Sequence, residues 1–84
     1  MTTAREDHPF HQAFDTHRDS LRSYVLRITA NVDETDDILQ ETWIKGSQNY
    51  EQYKGKSSLK TWIFTIASNM AKDYLRRTKR WTEN

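Results

Sequence analysis

Apolar and aromatic side chains recur every three or four residues through three separate stretches of this chain, a period that fits helices and not strands. In the first stretch Phe10, Ala13, Phe14, His17, Leu21, Tyr24, Val25 and Ile28 fall on one stripe. Pro9 suits the first turn of a helix, with Asp7 or His8 as its cap, and a helix is expected over 9–29. Asn31-Val32-Asp33 reads as a turn and cap, and Asp33, Glu34, Asp36 and Asp37 place negative charge where a helix dipole favours it. The second helix is expected over 33–49, with Thr35, Leu39, Thr42, Trp43, Gly46 and Tyr50 facing inward. Residues 51–57 break the pattern and form a loop. Ser57 or Ser58 then caps a third helix over 58–80, whose inward stripe is Leu59, Trp62, Ile63, Ile66, Ala67, Met70 and Tyr74. No segment alternates with a strand's period of two. The expected fold is all-α, a small three-helix bundle, with a flexible N-terminus over 1–8, the helical domain over 9–80 and a tail over 81–84.

At 84 residues the chain makes one domain, and ten aromatic residues give its small core bulk. The absence of cysteine excludes a disulfide scaffold, thiolate metal sites and a thiol nucleophile. No apolar run approaches the roughly 18 residues of a membrane span, and the first residues lack the basic-then-apolar form of a signal peptide. A soluble intracellular protein without membrane insertion is expected. The net charge of +1 conceals an asymmetry: residues 1–41 carry 9 acids and 4 bases, and residues 42–84 carry 9 bases and 3 acids. Such polarity suggests two surfaces with different partners.

On the outward side of the second helix lie Asp33, Asp37, Gln40, Glu41, Ile44 and Gln48. The pattern fits a solvated acidic face with one stray aliphatic residue. It also fits a docking surface for a basic partner, with Ile44 giving buried contact and Asp37, Gln40 and Glu41 setting register. On the polar side of the third helix Thr61, Thr65, Ser68, Asn69, Lys72, Arg76 and Lys79 cluster. The helix dipole accounts for cations near the C-terminus but not for the small hydrogen-bonding residues aligned with them. A nucleic-acid surface uses both, cations for phosphates and small polar groups for base edges. The preceding loop adds Tyr50, Tyr53, Lys54 and Lys56, aromatics interleaved with cations as single-stranded nucleic acid favours. Tyr50 is expected in the core. Asp73 falls near the apolar stripe, where a carboxylate needs a cation; Arg22, Arg27 and Arg77 are the candidates. His8, His11 and His17 are not spaced for one helical ligand face, and the acids at 33–37 lack the order of a calcium loop. No nucleophile triad, phosphate-cradling glycine loop or zinc-protease string occurs. Neither catalysis, a metal nor a cofactor is expected.

Two strings carry a family resemblance: Asp36-Asp37-Ile-Leu-Gln-Glu-Thr-Trp, and Thr61-Trp-Ile-Phe-Thr-Ile-Ala-Ser-Asn69-Met-Ala-Lys-Asp73-Tyr-Leu-Arg76-Arg77. In this order and at this separation they resemble region 2 of bacterial sigma-70 factors, and specifically the extracytoplasmic-function (ECF) group, over about residues 10–80. The resemblance implies that the second helix docks on the clamp helices of the RNA polymerase β′ subunit, which puts Asp37, Gln40 and Glu41 at that interface with Ile44 as an apolar addition. It implies that the last helix recognises and helps hold open the −10 promoter element on the non-template strand. That concerns Thr61, Thr65, Asn69, Lys72 and Arg76, with Lys79 further along. The loop before this helix, with Tyr53, Lys54 and Lys56, would receive a flipped-out base. Trp62 lies on the core stripe and is expected to be mainly structural, so that melting relies on capturing unpaired bases.

Further expectations from the resemblance are an anti-sigma partner and a cytoplasmic location in a bacterium, at the nucleoid when in holoenzyme. A complete ECF factor continues into a second helical domain that reads the −35 element, so an excised domain is expected here. Two other functions remain compatible with the residues. One is a duplex reader of helix-turn-helix type with the third helix in the major groove. The other is a protein-interaction bundle held by an anti-sigma factor.

Overall fold

The computed structural model describes the backbone of residues 8–82 and the side chains of residues 8–79. Three helices, α1 (Pro9–Thr29), α2 (Val32–Asn49) and α3 (Leu59–Thr82), each pack against the other two, and a single 3-10 turn (Tyr50–Gln52) follows α2. The described residues contain no strand. The three-helix bundle is as expected. Residues 1–7 of the expected flexible N-terminus and residues 83–84 of the expected tail lie outside the described residues, whereas the backbone at 81–82 is helical and continues α3.

Local chemistry sets the boundaries. His8 caps α1, its Nδ1 accepting the Phe10 N–H at 3.1 Å, and Pro9 opens the helix where its missing N–H is not needed. Ala30 ends α1 in the left-handed region at φ 53° and donates its N–H to the Leu26 carbonyl at 2.8 Å. Asn31 then caps α2, its Oδ1 accepting the Glu34 N–H at 2.8 Å. Capping from Asn31 starts α2 at Val32, one residue earlier than Asp33. Ser58 caps α3 by accepting the Thr61 N–H on its Oγ at 3.1 Å. Asn31→Ala is expected to cost about 1 kcal/mol through the lost cap, lowering the melting temperature by roughly 4–8 °C. Asn31 is exposed, and its amide also reaches the Tyr74 hydroxyl on α3 at 3.5 Å, so a circular-dichroism melt reads the cap together with that long contact.

Phe10, Leu21, Val25, Ile63, Ala67 and Ala71 are fully buried, and Phe14 and Ile38 nearly so. Ile38 and Ala71 were not in the expected stripes; both extend the apolar arcs of their helices and belong to the buried core. The core also holds polar pairs. The Thr29 and Thr35 hydroxyls lie 2.8 Å apart, and the Thr42 hydroxyl donates to the Ile38 carbonyl at 2.7 Å. Each of these three threonine hydroxyls is thereby satisfied within the bundle.

Two further sequence expectations need correction. Ser68, placed on the polar side of α3, is only 8 % exposed, in a groove that it lines together with Tyr24 of α1. Asp73 is not buried: its side chain is 54 % exposed. It pairs along its own helix with Arg76 at 3.2 Å and Arg77 at 3.7 Å, so neither α1 arginine is recruited. Arg22 instead pairs with Asp36 at 3.0 Å and ties α1 to α2.

Two candidate interfaces on opposite helices

The outward face of α2 is built as the sequence implied. Asp37, Gln40, Glu41 and Ile44 are all exposed, and Ile44, at 43 %, is among the most exposed large apolar residues. Helical spacing alone aligns 37, 40, 41 and 44 on one side, since residues three and four apart are neighbours. No described residue bonds to the side chains of Asp37, Gln40 or Glu41. Asp36, in the same acidic cluster, is engaged by Arg22 and so serves the fold. Beside this face runs a groove of about 940 Å³ between α1 and α2, with Gln40 and Ile44 on one wall and Phe14, Arg18 and Arg22 on the other. His11 stacks on Trp43 at the same groove, ring centroids 5.0 Å apart and planes 20° apart. The α1 wall was missed in the sequence, where Asp15, Arg18, Asp19 and Arg22 give no apolar signal. Their spacing of three and four is the feature that could have placed them on one side.

Of the three histidines read as not spaced for one ligand face, His8 and His11 lie together, with rings 4.8 Å apart. Among the described residues no group of three or more His, Cys, Asp or Glu could hold a metal ion, and no helix is long and apolar enough to cross a membrane.

On α3 the predicted residues separate into two groups. Thr61, Thr65, Asn69 and Lys72 are exposed and line one open groove of about 470 Å³, together with Tyr24 of α1 and Lys60, Phe64 and Ser68 of α3. Thr65 donates its hydroxyl to the Thr61 carbonyl at 2.8 Å, and the Thr61 hydroxyl accepts from Ser58 at 3.1 Å. The Asn69 amide and the Lys72 ammonium have no partner among the described residues. Arg76 and Lys79 are exposed but lie further toward the C-terminus, outside this groove. Arg76 shares its charge with Asp73, so it is not the simple cation its position suggests.

The groove residues missed from sequence are Tyr24, Lys60 and Phe64. Positions 60, 64, 68 and 72 form a helical row directly beside 61, 65 and 69, so the second row could have been found by extending the first. Tyr24 could not, because it lies on the apolar stripe of α1.

The loop residues divide as well. Lys54 and Lys56 are exposed on either side of Gly55, whose φ of +72° makes the turn that a side chain would strain. Tyr53 is half-buried; its ring lies 5.1 Å from that of Trp62 and its hydroxyl donates to the Ser57 carbonyl. Tyr50, expected in the core, is half-buried between His8 and Trp62. Trp62 meets Phe10, Tyr50 and Tyr53, the packing of a structural residue.

The described residues thus carry an acidic, partly apolar face on one helix and a cationic, hydrogen-bonding groove on another. A family model described as Sigma-70 region 2 matches residues 13–81. Among curated proteins, the ECF RNA polymerase sigma factor SigX of Bacillus subtilis (strain 168) is 32 % identical over 68 residues, covering 81 % of this chain and 35 % of that protein. EcfG of Rhodopseudomonas palustris (strain TIE-1), also an ECF sigma factor, is 32 % identical over 65 residues, 77 % of this chain and 36 % of its own length. SigW of Bacillus subtilis is 30 % identical over 70 residues, 83 % of this chain and 37 % of its own. No solved structure matches at comparable significance. The chain therefore belongs to the sigma-70 family as an ECF-type region 2 domain, and it spans about a third of the length of the curated relatives it matches.

Proposed function

We propose that this domain joins the RNA polymerase core to promoter DNA in the bacterial cytoplasm, binding the β′ clamp helices through α2 and the non-template strand of the −10 element through α3 and the loop before it. In this reading the domain catalyses nothing; phosphodiester chemistry belongs to the polymerase. It assists melting by capturing bases once they unpair. An anti-sigma factor is a further partner, competing for one of the same two faces.

The observation that carries the reading is the pair of unpartnered polar faces. Asp37, Gln40 and Glu41 surround an exposed Ile44 on α2, while Asn69 and Lys72 stand unpaired on α3. Carboxylates with nothing to neutralise them favour a basic protein surface, and Ile44 gives that contact an apolar centre. A duplex reader of helix-turn-helix type also uses a polar helix, but it makes no use of the α2 face.

The test is a core-polymerase pull-down with the Glu41→Lys variant. Glu41 is exposed and unpaired, so folding stability should change by less than about 0.5 kcal/mol. Binding to a β′ clamp-helix fragment should fall by roughly tenfold or more, because a like charge set against a basic partner is repulsive. Unchanged affinity in a folded variant would remove α2 from the interface.

A further inference from the structure

The outward face of α2 and the groove beside α3 complement each other. Asp33, Asp37 and Glu41 stand exposed on α2 around Ile44, itself 43 % exposed, and none of the three carboxylates has an ion pair among the described residues. The α3 groove has the opposite make-up. No acid lines it, Lys60 and Lys72 are exposed in its lining, and the half-buried Tyr24 and Phe64 rings, 5.4 Å apart, give it an apolar patch. The spacings match as well as the charges. Asp37 lies seven residues before Ile44 and Lys72 eight residues after Phe64, about 10 and 12 Å along the two helix axes. Asp33 and Arg76 lie four residues further in each direction. Two such helices laid antiparallel, with Ile44 on Phe64, therefore bring Asp37 to Lys72 and Asp33 to Arg76. Both faces look outward from helices packed in one bundle, so the pairing is between chains. A net charge of +1 leaves little overall repulsion to keep two chains apart.

We infer that the α3 groove of one chain receives the α2 face of a second copy, in a weak association steered by charge and centred on Ile44. Any acidic helix meets the lysines by charge. The α2 face adds an aliphatic side chain at the distance from its carboxylate that separates Phe64 from Lys72, and this singles out the second copy. Exposed ion pairs contribute little each and are screened by salt, so the association belongs to high protein concentration and low ionic strength. The contact joins unlike surfaces, and is heterologous in that sense. A chain engaged in it has its α2 face or its α3 groove covered, so self-association withholds these surfaces from every other partner. Neither polymerase nor DNA takes part, and the pairing stands or falls separately from the function proposed above.

The test is sedimentation equilibrium of this chain at roughly 0.1–1 mM, the range that reveals weak association. In about 20 mM salt, where screening is slight, the weight-average mass should exceed the 10.1 kDa of one chain and rise with concentration. In about 0.5 M salt it should return to one chain. Asp37→Lys and Lys72→Glu should each abolish the rise, and both positions are exposed, so circular dichroism should find both variants folded. The neutral variants Asp37→Asn and Lys72→Gln bring in no new charge, and each should weaken the association at least about threefold.

Mixing the two charge-reversed variants identifies the surfaces. Asp37→Lys retains the lysine groove and Lys72→Glu retains the carboxylate face, so an equimolar mixture should regain the mass that neither variant shows alone. A wild-type chain that stays at one-chain mass at every concentration in low salt would overturn the pairing. So would association that survives high salt or either reversal, since other surfaces would then be in contact. A mixture that remains monomeric would overturn the assignment of α2 to the α3 groove. Each of these results leaves the polymerase and promoter reading standing, because none of them measures binding to either.

Discussion

Phe10→Ala is expected to cost about 3–5 kcal/mol of folding stability, against a total of roughly 4–13 kcal/mol for a chain of this length. The ring is fully buried and lies at the meeting point of all three helices, near Phe14, His11, Tyr50 and Trp62 at centroid separations of 5.7–6.5 Å. Its edge faces Gly46 on α2, where a Cβ would come within 2.3 Å of Phe10 Cζ. Gly46 is therefore present for close approach, and its mid-helix penalty of about 1 kcal/mol is offset by the packing it allows. Gly46→Ala should destabilise in spite of alanine's better helix propensity, because the clash falls on a ring hemmed in on every side. In combination with Phe10→Leu, whose shorter side chain vacates that space, Gly46→Ala should cost less than it does alone. Urea denaturation of the two single variants and the double variant measures the coupling. Strictly additive costs would mean that the two positions do not share the space assigned to them.

The second large effect separates recognition from grip on α3. Asn69→Ala should relax preference among −10 sequences by roughly 1–3 kcal/mol, because an uncharged amide with no partner in the fold is suited to a base edge. It should leave the salt dependence of binding unchanged. Lys72→Ala should weaken all sequences about equally and reduce the salt slope by about one. Arg76→Ala should act in the same direction but more weakly than Lys72→Ala, since Asp73 lies 3.2 Å from its guanidinium and already offsets part of its charge. Asp73→Asn should accordingly tighten binding. Salt titrations of each variant against matched and mismatched single strands distinguish these roles. A changed sequence preference in Lys72→Ala, with only a changed salt slope in Asn69→Ala, would reverse the assignment.

Much of the fold was legible in the sequence because its determinants are local. The stripe from Phe10 to Ile28, Pro9 with its His8 cap, and the Asn31 cap all act within a few residues, and they place α1 and the start of α2 to within one residue. Ser68 and Asp73 show where that legibility stops. Each lies near the boundary between the apolar and polar arcs of α3, and a helical wheel does not say how far a neighbouring helix wraps around such a boundary. Ser68 is covered by that wrapping, whereas Asp73 lies where α3 is open to solvent and settles for its own arginines.

The same distinction governs the interfaces. Asp37, Gln40, Glu41 and Ile44 share a face by spacing alone, so the sequence suffices to group them. The α3 groove takes Tyr24 from another helix, and only the packing of α1 on α3 brings that ring beside Phe64. Pairing partners were equally hidden. Asp36 and Asp37 are adjacent acids, yet the first is held by Arg22 and the second has no ion-pair partner among the described residues.

In the proposed function α3 receives one strand of opened promoter DNA and not a duplex groove. The most direct test is the affinity of this chain, by fluorescence anisotropy at fixed salt, for a single −10 sequence presented as non-template strand, as its complement and as the duplex of both. The non-template strand should bind at least roughly tenfold more tightly than either of the others, about the worth of one stacked base. Equal or tighter binding of the duplex would contradict the claim and favour a recognition helix lying in the major groove.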